Sequence, residues 1–352
     1  MSEATSQTTN QAASQGAGGK KYGQLVSEEA ILKSLDRYFP NHQKEGIALG
    51  RGDDCCLLTS TKPLAVSSDL FIEDVHFRTA YATAEEIGHK ALACNISDLA
   101  ASGARPLCFT MNLGLPSSVE RGWLNDFFSG MGALASRYSV ALVGGDLSKS
   151  SKLLVSVTVF GEENSRTGFL TRGGSLPGDV LFVVGTVGLA RTGLHVMEKD
   201  GRQAASSWPH ACKALLSPEP KVDAGLILAR AGQNARPPAL MDVSDGLARD
   251  LPRLLGMQGE KHPLGAELLL PAGALHREVV EWCRQNGRNP VHEALLGGDD
   301  YCLLGSCAPD MLQSLHAAIP ELWELGVVTD SGHIMCNNEC IDDLHGFDHF
   351  SA

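Results

Sequence analysis

The sequence predicts an α/β or α+β chain of two domains. Its 352 residues suffice for two domains or for one large one. Apolar residues make up 43% and charged residues 20% of the chain, which is typical of folded globular proteins. Beyond the amino terminus, short apolar segments typical of strands alternate with amphipathic segments typical of helices. This alternation indicates sheets covered by helices.

Charge and hydropathy exclude several classes of protein. Asp and Glu outnumber Lys and Arg by 41 to 29, which gives a formal net charge of −12. A general nucleic-acid binder needs the opposite, a basic surface. The longest apolar stretch, at 180–190, is too short to span a bilayer, and no secretory signal opens the chain. We therefore expect a soluble, cytoplasmic protein without a nucleic-acid or membrane partner.

The composition also suggests the domain boundaries. Residues 1–21 are almost all small or polar, so we expect a disordered tail there. The segment 161–178 is rich in Gly, Arg and Thr and is the best candidate for a boundary. The sequence thus predicts one domain at 22–164 and a second at 165–350.

The predicted elements follow from periodicity, caps and breakers. In the first domain we expect a helix from near Ser27, a strand at 63–67, a helix at 84–101 ended by Gly103, a helix from a Ser117–Glu120 capping box to about Tyr138, and strands at 139–143 and 153–160. In the second domain we expect strands at 179–184, 239–243, 266–270, 301–305 and 325–329, and helices at 188–198, 221–231, 246–256 and 274–286.

The ten cysteines lie scattered through apolar segments. We expect reduced, mostly buried thiols that serve as small apolar side chains. Cys336 and Cys340, with His333 and His345 nearby, remain an alternative set of metal ligands, although their spacing matches no standard zinc site.

Aspartates stand where apolar segments end or beside Gly or Ser. They are Asp53, Asp54, Asp69, Asp98, Asp146, Asp242, Asp245, Asp299 and Asp300. Carboxylates at strand ends converge when the strands share a sheet, and such a cluster repels itself unless cations neutralise it. Oxygen ligands without His or thiolate companions favour Mg²⁺ or Mn²⁺. Any single Gly-Asp pair is more simply a turn, but the whole set predicts a metal site.

Several carboxylate-held Mg²⁺ ions are typical of phosphate chemistry. The common nucleotide motifs are absent: there is no G-x-x-x-x-G-K-[ST], no kinase H-R-D or D-F-G set, and no G-x-G-x-x-G after a strand. If the chain uses ATP, it does so with a less common architecture.

Eight segments of the sequence carry a family resemblance. They are GRGDDCCLL (50–58), SSDLFIEDVHF (67–77), GHKALACNISDLAASGARP (88–106), LVGGDLSKS (142–150), TGFLTRGGSLPGDVLFVVGTVG (167–188), MDVSDGLARDL (241–251), LLGGDDYCL (295–303) and GFDHF (346–350). In order and spacing, over nearly the whole chain after residue 22, they resemble the thiamine-monophosphate kinase family. That family belongs to the ATP-binding synthetases that resemble aminoimidazole ribonucleotide synthetase, which are two-domain dimers whose N-terminal sheets pair across the dimer.

The resemblance implies direct transfer of the ATP γ-phosphoryl group to thiamine phosphate, with several Mg²⁺ ions and no covalent intermediate. It implies metal ligands at Asp54, Ser67, Ser68, Asp69, Asp98, Asp146, Asp242 and Asp245. It implies ATP contacts at Gly145, Asp146, Arg172 and Ser244, and thiamine phosphate contacts at His76, Asp299 and Leu344. Of these, Asp98, Asp146 and Asp242 are expected to be catalytic.

Two positions depart from the family pattern. Where the family has GGEDY, this chain has Gly297-Gly298-Asp299-Asp300-Tyr301, so the carboxylate at 299 is one methylene shorter. Near the C-terminus the family often has an aromatic residue where Leu344 stands, so stacking on the thiamine rings is weaker or comes from another residue such as Phe347.

Two alternatives belong to other functional classes or to other reactions. One is another ATP-dependent synthetase of the same group, but the first cysteine is Cys55, not the reactive cysteine of selenophosphate synthetase. The hydrogenase-maturation member would end in a functional cysteine, whereas this sequence ends Phe350-Ser351-Ala352.

The other alternative is a non-catalytic nucleotide-binding regulator. Intact aspartates in both halves argue against it, because a dead site has no physical reason to keep like charges together.

Overall fold

The computed structural model describes residues 28–40, 44–52, 54–231, 236–256 and 264–346. The predicted disordered tail (1–21), the proposed cap Ser27, Asp53 and Phe347 lie outside these residues. Within the described helices, no segment is long and apolar enough to cross a membrane.

The first part of the chain is built around a four-stranded sheet. Its elements are α1 (Glu28–Tyr38), β1 (Ile47–Leu49), β2 (Leu57–Leu58), β3 (Leu64–Ile72), α2 (Ala84–Ala101), β4 (Arg105–Leu115), α3 (Arg121–Arg137), β5 (Ala141–Lys149) and β6 (Leu154–Glu162). The sheet has the order β3-β6-β4-β5, with β4 and β5 parallel and the other pairs antiparallel. A separate antiparallel pair joins β1 and β2.

The second part contains a seven-stranded sheet. Its elements are β7 (Val180–Val184), α4 (Leu189–Asp200), α5 (Pro209–Leu216), α6 (Val222–Ala231), β8 (Ala239–Asp242), α7 (Leu247–Leu254), β9 (Gly265–Leu268), α8 (Arg277–Asn286), α9 (Pro290–Leu295), β10 (Leu303–Cys307), α10 (Pro309–Ala318), β11 (Leu322–Thr329), β12 (Ile334–Cys336) and β13 (Glu339–Cys340). The order is β13-β12-β9-β11-β7-β10-β8, with only the β9–β12 pair parallel among those described.

The predicted mixed α/β class is confirmed, and the element predictions differ in accuracy. Helix α2 has the predicted bounds, and the predicted capping box of α3 is wrong: Glu120 is its N-cap and makes no side-chain hydrogen bond to the helix. Strand β4 was not predicted, nor were the short strands β1, β2, β12 and β13 or the helices α5, α9 and α10. Strand β4 is buried along most of its length on both faces, so its sequence RPLCFTMNLGL lacks the alternation of a half-exposed strand.

All ten cysteines are free thiols, as expected, and seven of them are buried. Of the alternative metal ligands, Cys336 is buried in β12, while Cys340 is exposed in β13. His333 is paired with Asp342, whose carboxylate lies 2.7 Å from the ring nitrogen Nδ1. Two of the four residues named from the sequence are brought together: His333 and Cys340, with Asp342, offer three ligand atoms that lie within 4.8 Å of one another, whereas Cys336 and His345 are not part of this group.

Helix α2 lies between the two parts of the fold. It packs against β3, β4 and β6 on one side and against α6 and β8 on the other. Thr83 and Glu86 form a capping box at its start, and Gly103, with φ of 63°, ends it as predicted. Most of its residues are buried, so the segment that carries Asp98 is held on all sides.

Helices α2 and α3 touch through glycine. A Cβ at Gly130 would lie 1.9 Å from the carbonyl oxygen of Glu85, and one at Gly88 would lie 2.0 Å from that of Phe127. The two backbones are therefore closer than any larger residue permits.

We expect Gly130→Ala to lower the free energy of unfolding by about 3 kcal/mol, because the methyl group would force the helices apart. Chemical denaturation measures the change. Gly273→Ala is the control, since a Cβ there meets no atom within 4 Å. Equal effects of the two substitutions would contradict the close approach.

Candidate active site

A cleft of about 370 Å³ lies where β3, α2 and β8 meet. Its polar lining comes from Ser67 on β3, Asp98 near the end of α2, Arg172 in the connection between the two sheets, and Asp242 at the last residue of β8. Four of the residues predicted from the sequence thus share one cavity, although Asp242 is 144 positions from Asp98 in the sequence. The remaining lining is mainly apolar.

Two serine hydroxyls hold the carboxylates of this cleft. Ser67 Oγ donates to Asp98 Oδ2 at 2.5 Å, which joins β3 to α2. Ser97 Oγ donates to Asp242 Oδ2 at 2.9 Å, which joins α2 to β8. Ser97 is fully buried, so the second bond is shielded from competing water. The positions of both carboxylates are therefore fixed relative to α2.

The carboxylates of the cleft resist ionisation. Burial raises the pKa of Asp242 from its ordinary value of 3.8 to about 8, and the nearby Asp98 adds to the rise. Burial also raises the pKa of Asp98, against the opposing effects of Ser67 and Arg172. Asp69 lies on β3 outside the lining of the cleft, and its pKa is raised to about 6, first by desolvation and then by Asp98. Such crowding is relieved when a cation lies among the carboxylates.

The chemistry of these donors fits a hard divalent cation. Carboxylate and hydroxyl oxygens are the ligands that Mg²⁺ prefers, and none of the residues lining the cleft offers an imidazole or a thiolate. Ser67, Asp98 and Asp242, which line the cleft, are the residues that would hold such an ion, together with Asp69, which lies outside the lining but senses the charge of Asp98.

Other predicted metal ligands lie apart from this cleft. Asp146 is exposed on β5 and accepts a hydrogen bond from Ser148 Oγ at 2.8 Å. Asp245 pairs with Arg253 at 2.8 Å. Ser68 is exposed on β3, and its hydroxyl lies 2.8 Å from that of Thr158. Asp54 is exposed in the bend before β2. The described lining of the cleft includes none of these four, so their metal binding stays a prediction.

Gly145, predicted to contact ATP, occupies a position that excludes a side chain. Its φ is 150°, and a Cβ there would lie 1.8 Å from the carbonyl oxygen of Met111 on β4. By strand register, Gly145 shares a cross-strand row with Met111, Val157 and Asp69. The glycine is thus needed for β5 to pair with β4, whatever else it contacts.

A second cavity, of about 250 Å³, lies between the two parts of the chain. Its lining includes Phe71, His76 and Lys90 from the first part and Ser244 and Asp299 from the second. Three residues predicted from the sequence to contact ATP or substrate therefore meet here. Leu344 does not line it; that side chain packs against the core of the seven-stranded sheet.

His76 is oriented by the backbone of its own loop. Its Nδ1 accepts a hydrogen bond from the backbone N–H of Ile72 at 3.0 Å, and its ring lies 5.5 Å from that of Phe71. In the neutral imidazole the proton is then on Nε2, which makes that nitrogen a hydrogen-bond donor. The side chain is half-buried at the cavity wall, not solvent-facing as an isolated strand histidine would be.

Asp299 is held from two directions. Lys90 Nζ donates to its Oδ2 and the Tyr301 hydroxyl to its Oδ1, each at 2.9 Å. Burial lowers the pKa of the Lys90 ammonium, but Asp299, with smaller effects of Cys94 and Tyr81, outweighs burial, so the pKa lies above its ordinary value. The neighbouring Asp300 is not part of the cavity lining: it accepts hydrogen bonds from the backbone N–H groups of Gly188 and Ala190 at the start of α4.

Lys90 and Ser97 are the site residues that sequence reasoning missed. Both lie in the segment GHKALACNISDLAA, whose other residues are mostly uncharged. A lysine within a helical segment that is mostly apolar from Ile87 to Ala101 is a signal for a buried partner. Its partner, 209 positions away, has no signal in the sequence.

Comparison with protein families first shows a broad class of protein that the N-terminal part of the chain resembles. Residues 52–162 match the family model for the N-terminal domain of AIR synthase related proteins. This range includes β3, α2 and β5, the elements that carry most of the first cleft and Asp146.

Full-length relatives then define the family. Thiamine-monophosphate kinase of Synechococcus elongatus is 31% identical over 337 residues, which cover 93% of this chain and 97% of the relative. The crystal structure of thiamine-monophosphate kinase from Stenotrophomonas maltophilia K279a is 30% identical with a TM-score of 0.76, over 91% of this chain and 99% of that one. A structure of AaThiL complexed with AMPPCP and TMP is 26% identical, with a TM-score of 0.73 over 92% and 97%. The chain belongs to the thiamine-monophosphate kinase family.

The raised pKa values predict how pH and Mg²⁺ act on stability. The folded protein keeps protons on Asp69 and Asp242 that the unfolded chain releases near pH 4, so this contribution to stability is lost as pH rises through about 6 and about 8. Mg²⁺ needs the ionised carboxylates and competes with those protons. In EDTA we expect the melting temperature to fall from pH 6 to pH 8.5, and Mg²⁺ to raise it more at pH 8.5 than at pH 6.

Melting scans with EDTA, with Mg²⁺ and with Na⁺ at matched ionic strength measure this effect. A Mg²⁺-dependent rise that is equal at both pH values, or that Na⁺ reproduces, would contradict a carboxylate metal site.

Proposed function

We propose that this protein transfers the γ-phosphoryl group of ATP to thiamine phosphate and so produces thiamine diphosphate and ADP. The observation that carries the proposal is the position of the carboxylate cleft: it lies beside a second cavity, and residues on α2 line both. Family membership supports the reaction, and the related structure complexed with AMPPCP and TMP supports the two substrates. The free cysteines suit a reducing, cytoplasmic setting.

In this mechanism no side chain forms a covalent intermediate. The acceptor already carries a phosphate oxygen, and the second pKa of a phosphate monoester is near 6, so at neutral pH it needs little help from a general base. Mg²⁺, when bound, supplies neutralising charge between the two anionic substrates. The protein places the donor and acceptor in line and excludes water from the reacting atoms.

The residues of the first cleft serve the metal and the nucleotide. Ser67, Asp98 and Asp242 hold the ions together with Asp69 on the same strand as Ser67, and Arg172, in the lining of the cleft, reaches the phosphates. We assign Gly145 and Asp146 to the nucleotide and Ser68, Asp54 and Asp245 to further ions on the family resemblance alone. In this assignment 22–164 is the metal- and ATP-binding domain and 165–350 the second domain.

The second cavity is the site for thiamine phosphate. His76 presents an N–H donor for a phosphate oxygen, and Asp299 presents a carboxylate to the positively charged thiazolium ring. Ser244 lies on the wall of this cavity, two residues after Asp242, so it links the acceptor to the nucleotide site. The contact of Leu344 with substrate rests on the family resemblance alone, because its side chain packs against the core of the seven-stranded sheet.

The direct test of this function is ADP formation from ATP with and without thiamine phosphate, together with detection of thiamine diphosphate. ADP formation that does not depend on thiamine phosphate would favour another synthetase of the group. No turnover with either substrate would favour the non-catalytic regulator.

We further propose a homodimer in which the four-stranded sheets pair. Strand β3 is an edge strand of that sheet, and Val66 and Leu70 on its outer face are 57% and 50% exposed. Leu57 on β2 is 53% exposed as well. Exposed apolar side chains grouped on one strand, such as Val66 and Leu70 on β3, are typical of a protein–protein interface.

We expect Leu70→Glu to convert the dimer into monomers, because two carboxylates would be buried at the interface. Analytical ultracentrifugation measures the change. Leu269→Glu is the control, since Leu269 is 70% exposed and lies in the other part of the chain. A monomeric wild-type protein, or a Leu70→Glu dimer of unchanged affinity, would contradict this interface.

We expect Asp98→Asn to lower kcat at saturating Mg²⁺ by at least about 100-fold, because an amide offers one neutral oxygen and adds donors where cations bind. In EDTA the variant should be as stable as the wild type or slightly more so, because one like charge has left the cleft. Near-normal turnover would contradict the metal role. A large loss of stability in EDTA would show that Asp98 is structural.

A further inference from the structure

A buried ammonium group, which the proposed mechanism does not use, lies at the second cavity. Lys90 is 4% exposed in the middle of α2, and its Nζ lies 5.8 Å from the centre of the Phe71 ring. Its one charged partner among the described residues is Asp299, at 2.9 Å. This ion pair joins the first part of the chain to the second at the wall of the cavity.

Stability alone does not account for this lysine. Burying an ammonium group costs hydration energy that a single ion pair only partly returns, and apolar residues of similar size are often equal or better for stability. The surroundings of Lys90 are largely apolar, with Phe71 and Ile87 on the same cavity wall. A methionine would suit such surroundings at no electrostatic cost. The charge therefore points to a role in the cavity.

The partner of Lys90 is fixed to an unusual degree. Both carboxylate oxygens of Asp299 are engaged, by Lys90 and by the Tyr301 hydroxyl, and its backbone N–H donates to the carbonyl of Ser244 at 2.9 Å. Asp299 and Tyr301 have φ of 63° and 46°, a left-handed conformation that residues other than glycine rarely adopt. Strain of this kind persists only where surrounding contacts enforce it, and it is concentrated at functional sites.

We propose that Lys90 is a positioning residue for the acceptor substrate: its ammonium group holds the Asp299 carboxylate at the cavity wall, in the orientation that meets the cationic ring of thiamine phosphate. Both residues line the cavity, where the side chain of Asp299 is 37% exposed and that of Lys90 only 5%. Each carboxylate oxygen can accept a second contact. By holding the carboxylate in place, Lys90 compensates for the shorter side chain of Asp299, which has one methylene fewer than the glutamate of the family. This inference rests on the proposed function.

The experiment compares Lys90→Met with the wild type in steady-state kinetics. We expect the KM for thiamine phosphate to rise about tenfold, the scale of losing one hydrogen bond to a charged group. The KM for ATP should stay within about twofold, because Asp98 and the first cleft are untouched. Lys221→Met is the matched control: Lys221 also forms an ion pair, with Glu321, but lies outside the lining of both cavities.

A second substitution separates positioning from a general structural role. Asp299→Asn should itself raise the KM for thiamine phosphate, and adding Lys90→Met to it should change that KM by less than about twofold, because the partner is already gone. If Lys90→Met does not fold, Lys90→Gln, which keeps a donor and removes the charge, takes its place in the same cycle.

The outcomes distinguish this inference from the proposed function. A wild-type protein that does not phosphorylate thiamine phosphate overturns the proposed function. A wild type that does, with Lys90→Met changing both KM values equally or neither, overturns the role of Lys90 alone. Effects of Lys90→Met and Asp299→Asn that multiply in full in the double variant also overturn it, because they show that the two residues act independently.

Discussion

The burial of helix α2 is the constraint on which both cavities depend. The helix touches α3 at Gly88, and its Ala100 carbonyl lies 2.1 Å from where a Cβ of Gly225 would be, so α6 is equally close. Neighbours at this distance allow neither rotation nor sliding. The Ser97–Asp242 hydrogen bond and the Lys90–Asp299 ion pair then fasten the second part of the chain to the same helix. The two parts are therefore positioned through α2.

The electrostatics of the first cleft oppose folding in the absence of cations. Asp98 lies in the last turn of α2, where the negative end of the helix dipole disfavours a carboxylate. Asp242 is 3% exposed, and its pKa shows that the folded protein prefers it neutral. The close packing around α2 must offset this cost. A divalent cation bound in the cleft would remove this cost. Metal-free and metal-bound protein would therefore differ in electrostatic energy even if their backbones were the same.

The sequence predicted α2 well because the information is local. The capping box at Thr83, the apolar positions and the stop at Gly103 all lie within 21 consecutive residues. Strand β4 was missed because burial on both faces removes the alternation that marks a strand. The Asp98–Asp242 cleft was predicted in composition through family resemblance, whereas the Lys90–Asp299 pair was not, since only the folded chain brings residues 209 positions apart into contact. The ion pair of Asp245 with Arg253 was likewise not predicted from the sequence motifs.

Helix α2 also fixes the separation of two charged side chains, Lys90 and Asp98. Lys90 and Asp98 are eight residues apart, which in an α-helix is a rise of about 12 Å and a turn of about 80° from one side chain to the other. The helix thus sets the distance between the residue proposed to position the acceptor and the residue proposed to hold the metal ions. One inserted residue between them would add about 1.5 Å and turn one group about 100° relative to the other. If both proposed roles hold, the reaction constrains the length of this segment as strictly as the identity of any residue in it.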